Sequence, residues 1–206
     1  SCRIPASGER SERWLNRFPQ MVQLDYQRRL RQVMAARQER LAALKTRGDA
    51  ERYVLAARRA VRRAFGPLPP RTPLNARLTR ACDLADHRVE HILLESRPGF
   101  LVTGNLYLPG GAQPGNKLPA MLGLCGHSAD GKMAAGYQSF CLELVQQGFV
   151  VFIIDPIQQG ERIQYTPQDG PPIGLCAAHN MMGNQMSLVN DFFGTWRVWD
   201  AIRALD

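Results

Sequence analysis

The amino-acid sequence predicts an α/β fold in which a helical segment precedes a domain built around a mostly parallel sheet. Two continuous apolar runs, residues 118–125 and 149–154, are typical of strands that are buried on both faces. Residues 137–147 between them have helical spacing, so the three segments together predict a βαβ unit with a right-handed crossover. A third observation is an arginine-rich region of helical periodicity that precedes this unit.

Residues 87–96 and 100–108 are predicted to be the first two strands of the sheet. Both runs are rich in β-branched or aromatic residues, and the short sequence Arg97-Pro98-Gly99 joins them. This pattern is typical of an antiparallel strand pair. The predicted sheet therefore has four strands, of which the first two are antiparallel.

The N-terminal part of the chain predicts two helices within residues 22–66. Apolar residues recur at helical steps with arginines between them, and Gly48-Asp49 interrupts the run. Asp49 is a suitable residue to cap the second helix. Four prolines within residues 67–73 then end helical structure. We therefore expect a basic helical extension at residues 1–66 and a second domain at residues 67–206.

Charge is distributed unevenly along the 206 residues. Residues 1–80 contain 19 Lys and Arg against 6 Asp and Glu, whereas residues 81–206 contain 7 against 12. A basic segment can bind nucleic acid or an anionic membrane, and a solvated arginine-rich helical face is the alternative interpretation. No zinc-finger spacing or RNA-binding aromatic motif accompanies the charge, so no nucleic-acid partner is expected.

Membrane and targeting signals give little information. No run of 18 apolar residues occurs, so no membrane span is expected. The chain begins at Ser1 and shows no signal peptide, which leaves a secreted or periplasmic location open.

The chemistry is expected at the carboxyl ends of the two parallel strands, where ligands bind in such sheets. Gly126-His127-Ser128 follows the first of them. A turn ahead of a helix at this point exposes backbone N–H groups that can hold an oxyanion. An ordinary turn between a strand and a helix is the alternative interpretation.

The loop after the second parallel strand is predicted to support this site. Asp155, Gly160 and Arg162 lie in it, and Asp155 and Arg162 are expected to pair or to hydrogen-bond the loop. Residues 156–186 are rich in Gly, Pro, Gln and Met, which predicts a long loop that lines a substrate cleft. A helix is expected to return at residues 187–206, with an apolar face that includes both tryptophans of this segment.

Two residues of the chain resemble nucleophiles in part. Gly126-x-Ser128 is half of a G-x-S-x-G elbow, but Asp130 stands where the second glycine belongs. Gly123-x-Cys125 similarly resembles a cysteine elbow, although Cys125 ends an apolar strand, where a buried and inert thiol is the usual outcome.

The cysteines and histidines do not predict a metal site. The five cysteines, among them Cys2, are widely spaced and form no C-x-x-C, although one disulfide stays open. His87 and His91 match H-x-x-E-H, but this pattern binds zinc on a helix, and in a strand the two would lie about 13 Å apart. His179 stands alone, as structural histidines do.

The second part of the chain contains six strings in a fixed order: RTPLNAR, ESRPGFLVTGNLYLP, GLCGHSADGK, YQSF, DPIQQGERIQY and WDAIRALD. Together they resemble bacterial α/β-hydrolases related to acetyl xylan esterases over residues 65–206. One departure is Gln158, where the family more commonly has glycine, and this puts the conformation of the loop in question.

The resemblance implies a carboxylic-ester hydrolase with a serine nucleophile and neither cofactor nor metal. The substrate would be a small-molecule or polysaccharide ester, such as an acetyl group on a plant polysaccharide. Gly126, His127 and Ser128 would form the oxyanion loop, with the backbone N–H of Ser128 as the donor. The four predicted strands would lie in the order first, second, fourth, third.

In this family the nucleophile, the acid and the catalytic histidine follow the helix that ends near Asp206. None of the three has a matching position in this sequence. The chain is therefore expected to be the N-terminal part of a hydrolase domain, truncated before the nucleophile elbow and inactive by itself. A non-catalytic binding protein with the same fold and a nucleic-acid binder acting through the basic helices are the alternatives.

Overall fold

A computed structural model describes residues 19–113, 115, 117–167, 170–171 and 173–206. The chain divides into two compact units, residues 1–60 and 61–206. Cys2, named above, lies outside the described residues. In chain order, the elements of the described residues are α1 (Met21–Ala42), α2 (Arg47–Phe65), β1 (Arg77–Asp83), β2 (His87–Arg97), β3 (Phe100–Pro109), β4 (Ala120–Leu124), a 3₁₀ turn (Gly131–Met133), α3 (Ala135–Gln146), β5 (Val150–Ile154), α4 (Leu175–Leu188) and α5 (Phe193–Arg203). None of these helices is both long enough and apolar enough to cross a membrane.

The two predicted N-terminal helices are confirmed, but the predicted cap is wrong: Thr46 occupies the cap position of α2, and Gly48 and Asp49 lie within its first turn. Thr46 precedes α2, and its hydroxyl accepts a hydrogen bond from the Asp49 N–H at 3.1 Å. The Asp49 carboxylate accepts one from the Thr46 N–H at 2.9 Å. This reciprocal pair is a capping box, which satisfies two N–H groups at the helix start. The bonds to Thr46 lower the pKa of the Asp49 carboxyl.

The strands of the sheet lie in the order β1-β2-β3-β5-β4. The predicted order of the four expected strands is therefore confirmed, and β4 and β5 are neighbouring parallel strands with Leu124 opposite Ile154. The prediction of a mostly parallel sheet is wrong, because the other three strand pairs of the described residues are antiparallel. Short turns connect β1, β2 and β3, which allows only antiparallel pairing, whereas the α3 crossover allows β4 and β5 to run parallel.

Two elements were not predicted, and one was misplaced. Strand β1 is arginine-rich and largely exposed, so it lacks the apolar alternation that marks a half-buried strand. Helix α4 falls within the predicted long loop, and Ala178 and Met182 are its buried residues. The helix predicted at residues 187–206 is wrong in its first turns: α5 begins at Phe193, after a break at which Asn190 has φ 55°.

Apolar side chains cover both faces of the sheet. On one face, Val151 and Ile153 of β5 pack with Cys141 and Val145 of α3. On the other face, Val102, Leu94 and Ile154 form a smaller cluster. Trp199 of α5 is buried beside β2, and its indole N–H donates to the Ser96 carbonyl at 2.8 Å. Strand β5 is thus held from both sides, which fixes the position of the loop that follows it.

Candidate active site

The carboxyl ends of β4 and β5 lie side by side, because the two strands are parallel neighbours and pair up to Leu124 and Ile154. The predicted oxyanion loop, residues 126–128, and the predicted supporting loop, residues 155–162, therefore start at the same edge of the sheet. The Gly160 N–H donates to the Ala129 carbonyl at 2.8 Å, which joins the two loops directly.

Asp155 is the buried centre of the supporting loop. Its side chain is fully buried, and its carboxylate accepts hydrogen bonds from the Lys132 N–H at 2.8 Å and from the Thr103 hydroxyl at 2.7 Å. Lys132 is only 1% exposed, and its ammonium forms an ion pair with the same carboxylate. A second carboxylate, that of the largely exposed Glu161, also contacts the ammonium. The charge of Asp155 is therefore compensated, as a buried charge must be.

Gly160 and Gly131 provide the space for the Asp155 carboxylate. A Cβ atom at either position would lie far closer to Asp155 Oδ1 than van der Waals contact allows. Both glycines also have positive φ, 55° and 54°, which side chains other than glycine rarely adopt. Glycine is thus required at both positions for two reasons: the Asp155 carboxylate lies too close for a side chain, and the backbone has a positive φ.

Arg162 does not pair with the Asp155 carboxylate, which was one of the two predicted arrangements. Its Nη1 instead donates to the Asp155 main-chain carbonyl at 2.9 Å and to Asp200 of α5 at 2.8 Å. Lys132 pairs with the Asp155 carboxylate, and Arg162 connects the start of the loop to α5 through its bonds to the Asp155 carbonyl and to Asp200. The second predicted arrangement, in which Arg162 hydrogen-bonds the loop, is the one observed.

Gln158 has φ 64°, in the left-handed region that favours glycine. Its buried side chain offsets this strain by holding the following segment. The Oε1 atom accepts from the N–H groups of Gln164 at 2.8 Å and Tyr165 at 3.2 Å, and Nε2 donates to the Ile173 carbonyl at 3.3 Å. The side chain of Gln158 therefore connects this left-handed turn to residues 164, 165 and 173.

Gln159 extends in the opposite direction and bonds residues 126–128, the predicted oxyanion loop. Its Nε2 donates to the carbonyls of Gly126 at 2.7 Å and Ser128 at 2.8 Å. Within that loop, the Gly126 N–H donates to the Tyr137 hydroxyl at 2.6 Å and the Ser128 N–H to the Gly126 carbonyl at 3.0 Å. The His127 N–H has no hydrogen-bond partner in the described part of the chain, so it is free to bind a ligand.

A cluster that the sequence did not predict lies beside this loop. Cys176 and His179 are three residues apart on α4 and so share one face of the helix. The Cys176 thiol lies 4.0 Å from His127 Nε2, and the rings of His127 and His179 have centroids 5.2 Å apart. Burial lowers the pKa of His179, although its hydrogen bond to the Ile157 carbonyl opposes the shift. The spacing on α4 was visible, but the helix itself was not predicted.

The two partial nucleophile motifs differ in their surroundings. Cys125 is buried, its thiol donates to the Ile154 carbonyl at 3.5 Å, and burial raises its pKa to about 12. Ser128 is half-buried. Across the described residues, no serine or threonine hydroxyl is hydrogen-bonded to a histidine ring nitrogen, which is the arrangement that activates a serine nucleophile.

His87 and His91 lie on strand β2, as predicted, and each has its own partner. His87 Nδ1 lies 2.6 Å from Asp86, and His91 Nδ1 lies 2.9 Å from the Asn105 side-chain oxygen. The helix that H-x-x-E-H requires is therefore not formed. Among the described residues, no group of three or more His, Cys, Asp or Glu side chains is arranged to hold a metal ion.

No protein-family model and no curated protein matches this sequence. Among solved structures, a protein from Bacteroides fragilis NCTC 9343, described as a candidate acetyl xylan esterase, superposes with a TM-score of 0.52 at 13% identity, over 69% of this chain and 38% of that one. An acetyl xylan esterase from Paenibacillus sp. R4 gives 0.37 at 21% identity, over 49% and 33% of the two chains. A cold-adapted esterase from an Arctic intertidal metagenomic library gives 0.36 at 19% identity, over 44% and 36%.

The chain thus spans less than half of the length of each of these proteins. At 13% identity the first likeness concerns the fold alone, a mixed α/β sheet with helices. The two lower scores carry no argument.

Proposed function

We propose that this chain is part of a carboxylic-ester hydrolase and supplies its oxyanion loop. The observation that carries the proposal is the His127 N–H, which has no partner among the described residues. It lies at the carboxyl edge of two parallel strands, on a loop that the buried Gln159 side chain bonds. Backbone N–H groups fixed in this way stabilise the negative charge of a tetrahedral intermediate without having to reorganise. The likeness of the fold to an α/β-hydrolase supports the same interpretation.

In the proposed reaction, a serine attacks the ester carbonyl, a histidine accepts the serine proton, and the loop binds the resulting oxyanion. We assign none of the nucleophile, the acid and the catalytic histidine to this chain. The resemblance predicts the Ser128 N–H as the donor. That N–H already donates within the loop at 3.0 Å, whereas the His127 N–H has no partner among the described residues. The reaction needs neither a metal nor a cofactor, and the substrate is a small-molecule or polysaccharide ester.

The test is hydrolysis of p-nitrophenyl acetate by two proteins, the 206-residue chain and the product of its complete reading frame. We expect turnover only from the product of the complete frame, since losing the nucleophile of a triad typically costs about 10⁶ in kcat. In that protein, Ser128→Ala should stay active because the substitution keeps the backbone N–H. Inactivity of the complete product would contradict the proposal. Turnover by the 206-residue chain that Ser128→Ala abolishes would place the nucleophile at Ser128 instead.

Nucleic-acid binding through α1 and α2 is the less supported candidate. Arg28 and Arg29 pair with Asp25, and Arg47 pairs with Glu51, on their own helices. Arginines engaged in this way favour the interpretation of a solvated helical face. Binding to DNA or RNA that weakens steeply with added salt would support the other interpretation.

A further inference from the structure

We propose that Gln159 is a positioning residue that determines which backbone N–H groups of the 126–129 turn face the reacting ester. The inference rests on the proposed function, because it assigns a role within that same loop. Gln159 is fully buried, so its side chain is held in one place by the surrounding protein. Its amide nitrogen bonds the carbonyls of Gly126 and Ser128, which uses both of its N–H protons.

Because the peptide unit is planar, these two hydrogen bonds also determine the direction in which the next N–H groups point. The chain has no cis peptide bond in its described residues, and in a trans peptide the C=O and the next N–H point to opposite sides. With the Gly126 and Ser128 carbonyls turned toward Gln159, the N–H groups of His127 and Ala129 point away from it. Neither N–H has a partner in the described part of the chain. The carbonyls of Gly126 and Ser128 thus have hydrogen-bond partners, and the N–H groups of His127 and Ala129 are left to bind a ligand.

The support for Gln159 is itself rigid. Its own N–H donates to the Pro156 carbonyl at 3.1 Å, and its carbonyl accepts from the Arg162 N–H at 3.0 Å. The next residue, Gly160, bonds the Ala129 carbonyl from the same side. Without the Gln159 amide, the peptide between Gly126 and His127 would lack this restraint, and glycine offers little resistance to a peptide flip.

Gln158 is a matched control. It is the adjacent glutamine, only 2% exposed, and its side chain holds Gln164, Tyr165 and Ile173 rather than the 126–129 turn. Methionine has a similar length to glutamine and no hydrogen-bonding amide, so Gln159→Met and Gln158→Met remove equivalent groups from neighbouring positions. Their effects should appear in different segments.

The first measurement uses ¹⁵N relaxation dispersion of the 206-residue chain. Gln159→Met should cause conformational exchange at the His127, Ser128 and Ala129 amides, and Gln158→Met should cause it at Gln164 and Tyr165 instead. If Gln159→Met does not fold, Gln159→Glu provides the same test. Its carboxylate repels both carbonyls, whereas its protonated form donates one hydrogen bond, so exchange in the turn should increase with pH. A turn that is unaffected by either substitution overturns the proposal.

The second measurement is esterase activity of the complete reading-frame product. Gln159→Met should lower kcat by about 10²–10³-fold, as loss of an oxyanion donor does, with KM little changed. Gln158→Met should lower kcat less. Exchange in the turn without loss of kcat would leave Gln159 as the positioning residue but reject the oxyanion role. No exchange, whatever the activity, would reject Gln159.

Discussion

The two loops that follow the parallel strands start side by side and are built in opposite ways. After β5, the side chains of Asp155, Gln158, Gln159 and Arg162 are at most 3% exposed, and each bonds another segment. After β4, Gly126 and His127 are exposed.

The difference indicates a division of labour between the loops. Residues 155–162 contain the charges and amides that define the geometry, and residues 126–129 contribute little besides main-chain groups. Backbone N–H groups that are kept free for a ligand cannot also form hydrogen bonds that order their own loop. The order of residues 126–129 therefore has to come from side chains of the other loop. Substitutions should therefore affect stability far more in the supporting loop than in the presenting loop.

The largest expected effect is that of Asp155→Asn. It leaves Lys132, a residue only 1% exposed, with the largely exposed Glu161 as the remaining carboxylate partner of its ammonium. Removing one member of a buried ion pair costs about 3–5 kcal/mol, because the other charge stays buried. Urea unfolding should show this as a loss of free energy of unfolding.

Glu161→Gln is the matched control, since it removes the other carboxylate of the same lysine. The Glu161 side chain is 66% exposed. Exposed ion pairs contribute about 0–1 kcal/mol, so this substitution should have little effect on unfolding. Equal losses from the two variants would mean that the buried pair does not stabilise the supporting loop.

A smaller effect is expected from alanine at the glycines of the two loops. Gly160→Ala introduces a Cβ against the Asp155 carboxylate at a φ of 55° and should cost about 2–4 kcal/mol. In Gly126→Ala the new Cβ meets only the tip of Tyr137, at 2.7 Å, and the expected loss is about 1 kcal/mol, that of one hydrogen bond. Thermal melts of the two variants measure the difference. A larger loss of stability in Gly126→Ala than in Gly160→Ala would contradict the proposed division of labour between the two loops.

The smallest expected effect concerns reactivity rather than stability. Burial raises the pKa of Cys125 to about 12 and that of Cys141 to about 11, so at pH 8 about one thiol in a thousand or fewer is a reactive thiolate. Cys176 is exposed beside His127. Iodoacetamide should therefore label Cys176 in the folded protein and spare the other two, as measured by peptide mass spectrometry.

Labelling of Cys125 as fast as that of Cys176 would show that the end of β4 is open to solvent. In that case the boundary between buried strand and exposed loop would not lie between Cys125 and Gly126. Denatured protein, in which all three thiols should react, provides the control.

The sequence predicted the strands best where burial alone decides the structure. Residues 149–154 are continuously apolar because β5 is covered on both faces, and a short apolar run of this kind is typical of a buried strand. Strand β1 was not visible, because its side chains are mostly exposed and its pairing depends on β2. The direction of pairing depends on the connections between strands, which apolar runs do not reveal. The prediction of a mostly parallel sheet is wrong for that reason.

The candidate site was only partly predictable for a similar reason. Asp155, Gly160 and Arg162 were identified as supports, but their partners are far away in sequence, and nothing local in the chain assigns Lys132 to Asp155. Gln159 gave no signal at all, because its role depends on where the other loop lies. His127 lies near Cys176 because α4 carries the cysteine. The Gly-, Pro-, Gln- and Met-rich composition of residues 156–186 predicts a loop and gives no sign of that helix.

The strand order has a consequence for the kinetics of folding. Strand β5 is the last of the five in the chain, yet it lies between β3 and β4, and it is the one strand among the described residues with which β4 pairs. Pairings between distant segments form late, because loop closure has to precede them. We therefore expect β4 and the loop after it to be unstructured in the folding transition state, with φ-values near zero. The candidate site would then be assembled in the final step of folding.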